Sequence, residues 1–216
     1  METLIIGAGG HGRVVLDILR AAGQYTPVGF IDSDPTLAGT QVMDLDVLGD
    51  INLLPKLRKQ NISRAIVAIG DNRNRLTQAQ FLLEHGFELI NAIHPTSRLC
   101  SGVQIGRNVV IAAGAIVCTQ STLADSTIIN TGAIVDHECR IEAGSHIAPG
   151  AILAGRVRVE QGAFVGIGAR IIQNLTIGSF AIVGAGAVVL EDVPLNATVV
   201  GVPARQLPSS NRTVTA

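Results

Sequence analysis

Three groups of residues have types and spacings suited to chemistry. The first is the loop Gly7-Ala8-Gly9-Gly10-His11-Gly12, whose glycines fall as G-x-G-x-x-G. Bare backbone N–H groups at the start of a helix can accept a pyrophosphate. Gly9, Gly10, His11 and Gly12 are therefore candidate phosphate ligands. Asp32 ends the next apolar run, where an acidic residue often takes a ribose hydroxyl. The second group is Asp136-His137-Glu138-Cys139, and the third is His146, nine residues beyond His137. An imidazole with an unperturbed pKa of about 6.5 is largely neutral at pH 7 and can take a proton there. The obvious reading of the loop is NAD binding. However, only about ninety residues surround it, one mononucleotide-binding unit, and nothing downstream reads as a hydride-transfer site. A nucleotide-linked ligand whose pyrophosphate meets the loop is the expectation.

The elements that must hold these groups are of two kinds. Residues 3–6 read as a strand, followed by a helix with Val14, Val15, Ile18 and Leu19 on one face and Gly23 as its stop. Val28–Ile31 and Ala65–Ile69 read as further strands, residues 52–60 and 73–85 as helices, and Phe87–Ile90 as a fourth strand, while 36–50 is irregular. Such alternation predicts a parallel sheet with helices on its faces. From Leu99 to Val189 every sixth residue is aliphatic, without a break. The residue four after each is nearly always small, and Gly recurs three after, as at Gly102, Gly114 and Gly132. A period of six fits neither a helix nor a plain strand. Fixed-period repetition predicts a solenoid, each hexad being a short strand and a corner. The boundaries are 1–92 for an α/β domain, 93–207 for the solenoid with Val199–Arg205 as a last strand, and 208–216 for a frayed tail.

Composition narrows the partners. The net charge is −1, so no basic surface argues for nucleic acid or an anionic membrane. Aromatic residues make up 3% of the chain, which suits a thin solenoid core with little room for rings. No stretch approaches a membrane span. The N-terminal stretch lacks the basic region of a signal peptide, so a cytoplasmic location is expected. Cys100 and Cys118 would stack one turn apart, yet reduced thiols are expected in such a chain. Cys139 falls on a small interior position and reads as packing.

The hexads resemble those of the hexapeptide-repeat acyltransferases. The GAGGHG loop, the hexads and the Asp136-His137-Glu138 run together resemble the NeuD/PglD-type sugar acetyltransferase family over residues 3–205. The resemblance implies a small Rossmann-like domain followed by a left-handed parallel β-helix of eighteen residues per turn. It implies acetyl-CoA as cosubstrate, no metal, and a homotrimer whose sites lie between subunits. It makes His137 the general base, oriented by Glu138, with Gly155 offering its N–H to the thioester carbonyl. It places His146 near the acetyl group and Asn130 near the acceptor. Pro149, Ile167 and Ala185 form one eighteen-residue stack, expected to flank Gly155 and hold the pantetheine arm. Arg205 is a candidate for a CoA phosphate.

The chemistry asks for these types. A sugar amine is an ammonium at neutral pH, and a base must free it before it attacks. Attack on a thioester builds an oxyanion, which a fixed N–H stabilises. The expected reaction is direct N-acetylation of a nucleotide-linked 4-amino-4,6-dideoxy sugar, with UDP favoured over GDP and dTDP. Asp32-Ser33 stands where some family members carry two acids. The alternative acceptor is a hydroxyl, as on sialic acid. A zinc hydratase needs three histidine ligands and would have to recruit His94. A non-catalytic nucleotide-binding module is the remaining alternative.

Overall fold

The computed structural model describes residues 1–208. The chain divides into two compact units, Met1–Pro95 and Thr96–Ala216; residues 209–216 of the expected tail lie outside the described residues. No helix among the described residues is long and apolar enough to cross a membrane.

The first unit is a six-stranded sheet with helices. Its elements are β1 (Glu2–Ile6), α1 (Gly10–Ala22), β2 (Thr26–Ile31), β3 (Gln41–Val42), β4 (Leu45–Gly49), α2 (Leu54–Lys59), β5 (Arg64–Val67), α3 (Asn72–Glu84) and β6 (Glu88–Leu89). The sheet order is β3-β4-β2-β1-β5-β6, parallel except for the β3/β4 hairpin. Helix α1 ends as expected at Gly23, whose φ is 67° and whose N–H bonds to the Leu19 carbonyl. Its buried face is Gly12, Val15, Leu16, Ile18 and Leu19, with Val14 left exposed. The spacing 12, 15, 16, 19 is the helical stripe, and Leu16 rather than Val14 completes it. Helix α3 is capped by Asp71, whose carboxylate accepts the Asn74 N–H.

The stretch read as irregular contains β3 and β4. Their two-residue turn is Met43-Asp44, with φ of 51° and 59°. Positive φ at both turn residues belongs to the type I′ hairpin, whose usual signal is Asn-Gly or Asp-Gly. Here neither residue is glycine, so nothing in the sequence marks the turn.

The second unit is a left-handed parallel β-helix of two-residue strands. Partners lie eighteen residues apart, as in Ile116↔Ile134↔Ile152 and Thr122↔Arg140↔Arg158. Face I carries Val110–Ile111, Ile128–Ile129, His146–Ile147, Phe164–Val165 and Ile182–Val183. Face II runs from Arg98–Leu99 to Val188–Val189, and face III from Gln104–Ile105 to Thr176–Ile177. The sixfold aliphatic residues point inward, and all of them from Ile111 to Val189 are buried. Each stabilises the coil by about 1.5–3 kcal/mol relative to exposure. The small residues fill the remaining interior, and their polar atoms are bonded. Ser121 and Ser145 donate to the Asp136 and Glu160 carbonyls at 2.8 Å. The expected last strand is in fact two. Thr198–Val200 and Arg205–Gln206 pair antiparallel, because the chain reverses at Gly201, φ 97°.

The corners carry the most information. Every residue three beyond an inward aliphatic, from Gly102 to Gly186, has positive φ, whether or not it is glycine. On the edge joining faces I and II this column is Gly114, Gly132, Gly150, Gly168 and Gly186. On the edge joining faces II and III it is Gly102, Gln120, Glu138, Arg156 and Asn174.

Candidate active site

The loop of the α/β unit uses its three patterned glycines for three different reasons. Gly7 has φ 106°, and a Cβ there would meet the Ala68 carbonyl at 2.9 Å. A Cβ on Gly12 would fall 2.1 Å from the Gly7 carbonyl oxygen, so only glycine lets α1 pack this close to the loop. A Cβ on Gly9 or Gly10 would meet nothing within 4 Å. The protein itself does not demand these two glycines, which line an open cleft with His11, Asp32, Ser33 and Asn74. This division is that of a dinucleotide-type loop: one glycine turns, one admits a phosphate, one packs.

Asp32 sits differently from a free ribose acceptor. One carboxylate oxygen accepts the Ala8 N–H at 2.7 Å and the other the Asp34 N–H at 2.9 Å. It ties the loop to the end of β2, and a ribose hydroxyl would be a third donor to it. His11 is held neutral. Burial, then the neighbouring Arg75 guanidinium, lowers its pKa to about 4. Arg75 was not singled out from the sequence. It is fully buried and donates to the Ile69 and Gly70 carbonyls, shaping the far wall of the cleft.

In the coil, His137, Glu138 and Gly155 come together on the II/III edge. His137 Nδ1 lies 2.9 Å from Glu138 Oε2, and the His137 N–H donates to Asp136 Oδ1 at 2.7 Å. A Cβ built on Gly155 would lie 2.4 Å from His137 Nε2, so the bare backbone of Gly155 seats the ring. With the carboxylate on Nδ1, Nε2 is the nitrogen left to act on a substrate.

His146 and Asn130 form a separate cluster. Asn130 Oδ1 accepts the Thr131 N–H at 2.8 Å, which fixes the amide so that Nδ2 faces His146 Nε2 at 3.0 Å. His146 Nε2 is then the acceptor and Nδ1 carries the proton. The ring is 8% exposed and stands edge-on to Phe164. Asn130 lies on the I/II edge and His146 on face I, so neither shares an edge with His137. The Pro149, Ile167 and Ala185 stack also lies on the I/II edge and does not flank Gly155 within one chain. Six residues separate Pro149 from Gly155, and six residues advance the chain by one edge, whereas eighteen return it to the same one. Ile167 is 61% exposed there.

Cys139 is buried and donates to the Ala154 carbonyl, and burial pushes its thiol up to about 11. It is protonated at neutral pH and points inward, unfit as an acyl carrier. Cys100 and Cys118 are free thiols. Among the described residues no three His, Cys, Asp or Glu side chains gather as metal ligands, so His94 joins no such group. The Arg205 guanidinium donates to the neighbouring Ala204 carbonyl and is exposed.

A family model for the PglD N-terminal domain matches residues 2–82. The whole chain is similar to PerB from Caulobacter crescentus, whose crystal structure holds CoA and GDP-perosamine. The two are 45% identical with a TM-score of 0.92, over 96% of this chain and 98% of PerB. The chain belongs to the NeuD/PglD-type sugar acetyltransferase family. Within that family it is also similar to the acetyltransferase domain of PglB from Neisseria gonorrhoeae. That domain is 37% identical with a TM-score of 0.90, over 95% of this chain and 99% of the domain. WeeI from Acinetobacter baumannii is 27% identical with a TM-score of 0.85, over 96% of this chain and all of WeeI. No curated protein sequence matches. The PglB domain has been crystallised with acetyl coenzyme A, and a histidine-to-alanine mutant of the Caulobacter enzyme with CoA and GDP-perosamine.

Proposed function

We propose that this sugar acetyltransferase moves the acetyl group of acetyl-CoA onto the 4-amino group of a nucleotide-linked 4-amino-4,6-dideoxy sugar. The observation that carries the reading is His137, with Nδ1 on Glu138 and Nε2 against the bare backbone of Gly155. His137 Nε2 takes a proton from the sugar ammonium. The freed amine attacks the thioester carbonyl, and the Gly155 N–H stabilises the oxyanion. The carbon–sulfur bond then breaks, and the CoA thiolate leaves with a proton. The α/β unit binds the nucleotide diphosphate at Gly9, Gly10 and the α1 N-terminus. On sequence grounds UDP is favoured. The 45% identity to an enzyme crystallised with GDP-perosamine supports a GDP-linked acceptor instead, and GDP is the reading adopted.

The split between the two clusters supports a homotrimer. Asn130, His146 and the Pro149–Ile167–Ala185 stack occupy one edge and face, and His137 occupies another. A second copy of the chain would set one beside the other. Face II presents Ile116, Ile134 and Ile152, all part-exposed, whereas face III presents Thr122, Arg140 and Arg158. A stable, fully active monomer in light scattering would rule the assembly out.

The test of the reaction is CoA release and product mass with GDP-, UDP- and dTDP-linked 4-amino-4,6-dideoxy sugars and with free sialic acid. Turnover is expected to be greatest with the GDP form. Preference for the UDP or dTDP form corrects the nucleotide alone. Acetylation of sialic acid, with all nucleotide amino sugars ignored, overturns the acceptor.

A further inference from the structure

The base has a second layer behind it on the same edge. Arg156 stacks one turn beyond Glu138, and Asn174 one turn beyond Arg156. Arg156 Nη1 lies 3.6 Å from Glu138 Oε2, the same oxygen that meets His137 Nδ1. From its other side Arg156 Nε donates to Asn174 Oδ1 at 2.7 Å. The backbone ties the rungs together as well. The Arg156 N–H donates to the His137 carbonyl at 2.9 Å, and the Asn174 N–H to the Gly155 carbonyl at 3.1 Å.

Stability does not account for this ladder. Glu138, Arg156 and Asn174 have φ of 58°, 58° and 63°, a conformation that disfavours side chains and that glycine takes freely. The Glu138 and Arg156 side chains are 45% and 54% exposed, and ion pairs that wet contribute little to folding. Three non-glycine residues thus hold a strained conformation for contacts of small folding value. The same φ occurs at Gln120 and, on the third edge, at Asn108, Ser126 and Phe180. What sets this run apart is that its side chains lead one to the next to His137, a geometry that has a use. The planar guanidinium suits that use, because it can face two acceptors at once in fixed directions.

We infer that Arg156, steadied by Asn174, is a positioning residue that aims the Glu138 carboxylate at His137 Nδ1 and so fixes the ring that does the proton transfer. This rests on the function proposed above, in that it assigns Arg156 to the same site. In this role the Arg156 side chain acts on His137 through Glu138.

The test uses the full chain with Arg156→Gly and Arg156→Lys. Arg156→Gly relieves the strained φ, so its thermal midpoint is expected to hold or rise. Its kcat is expected to fall on the order of tenfold, the cost of a misaimed group, with KM for both substrates within about twofold. Arg156→Lys keeps the charge but cannot face both acceptors, and is expected to recover only part of kcat. Histidine-selective ¹⁵N NMR reads the same inference without substrate, the His137 signals being assigned by their loss in His137→Gln. In the parent protein His137 is expected as the Nδ1–H tautomer, and in Arg156→Gly as a mixture with the Nε2–H form. An unchanged His137 tautomer in Arg156→Gly overturns the inference whatever the kinetics. So does a kcat loss that comes with a lower thermal midpoint and an unchanged tautomer. If the parent protein acetylates no nucleotide amino sugar, the proposed function fails by itself, and the NMR arm still decides the role of Arg156.

Discussion

Two edges of the same coil repeat the same backbone and use it differently. On the I/II edge every residue of the positive-φ column from Gly114 to Gly186 is glycine. On the II/III edge four of five are Gln120, Glu138, Arg156 and Asn174. The φ values match within about ten degrees, so the fold requires the conformation at both edges and glycine at neither. Holding a side chain there costs about 1 kcal/mol per residue. The edge that carries His137 accepts this cost, as does the third edge at Asn108, Ser126 and Phe180. The glycine edge projects nothing from that column, and a Cβ at Gly132, Gly150, Gly168 or Gly186 would meet nothing within 4 Å. One edge presents groups, and the other stays bare beside Pro149, Ile167 and Ala185.

Substitutions can break or sharpen this contrast. The largest effect is expected at His137. His137→Ala should lower kcat by the 10²–10⁴-fold typical of a lost general base, with KM nearly unchanged in steady-state assays. A variant within threefold of the parent would remove His137 from the mechanism. Next is Glu138→Gly, where activity and stability should part. The protein should gain about 1 kcal/mol in urea unfolding while kcat drops on the order of tenfold. A loss of stability instead would mean that Glu138 supports the coil. On the bare edge the signs reverse. Gly168→Ala should cost about 1 kcal/mol and raise KM for acetyl-CoA a few-fold, leaving KM for the nucleotide sugar alone. The smallest effect belongs to Gly9→Ala in the α/β loop, where a methyl meets no protein atom. Folding should change by about 1 kcal/mol or less. KM for the nucleotide sugar should rise, and KM for acetyl-CoA should not.

The sequence displayed the coil because its core is a repeat. One aliphatic residue per hexad must point inward, and all those from Ile111 onward do. It displayed the glycine loop for a similar reason, since Gly7 and Gly12 answer to contacts with backbone a few residues away or one strand over. What stayed hidden depends on through-space partners without a pattern. The Met43-Asp44 turn carries no glycine to announce it. Asp32 reads as a ribose ligand, yet the Ala8 and Asp34 N–H groups claim its oxygens. Arg75 looks like any helix surface residue until α3 is seen to turn it inward onto the Ile69 and Gly70 carbonyls. Arg156 and Asn174 stand eighteen and thirty-six residues beyond Glu138, a spacing that signals contact only once the turn length is applied to side chains as well as to the core. The same ruler, applied edge by edge, would have separated Pro149 from Gly155 before any coordinates.

The eighteen-residue turn also limits which insertions and deletions the gene can tolerate. Removing one hexad ahead of His137 leaves every later aliphatic residue facing inward, so the shortened coil still closes around an intact core. Yet each residue after the cut moves to the neighbouring edge, and His137, Glu138 and Gly155 arrive where the bare column stood. Such a protein should keep its core, and with the function proposed above its base would sit on the wrong edge. Only losses or gains of whole turns preserve both foldedness and aim. The coil therefore tolerates changes of length in steps of six as a folded object and in steps of eighteen as an enzyme.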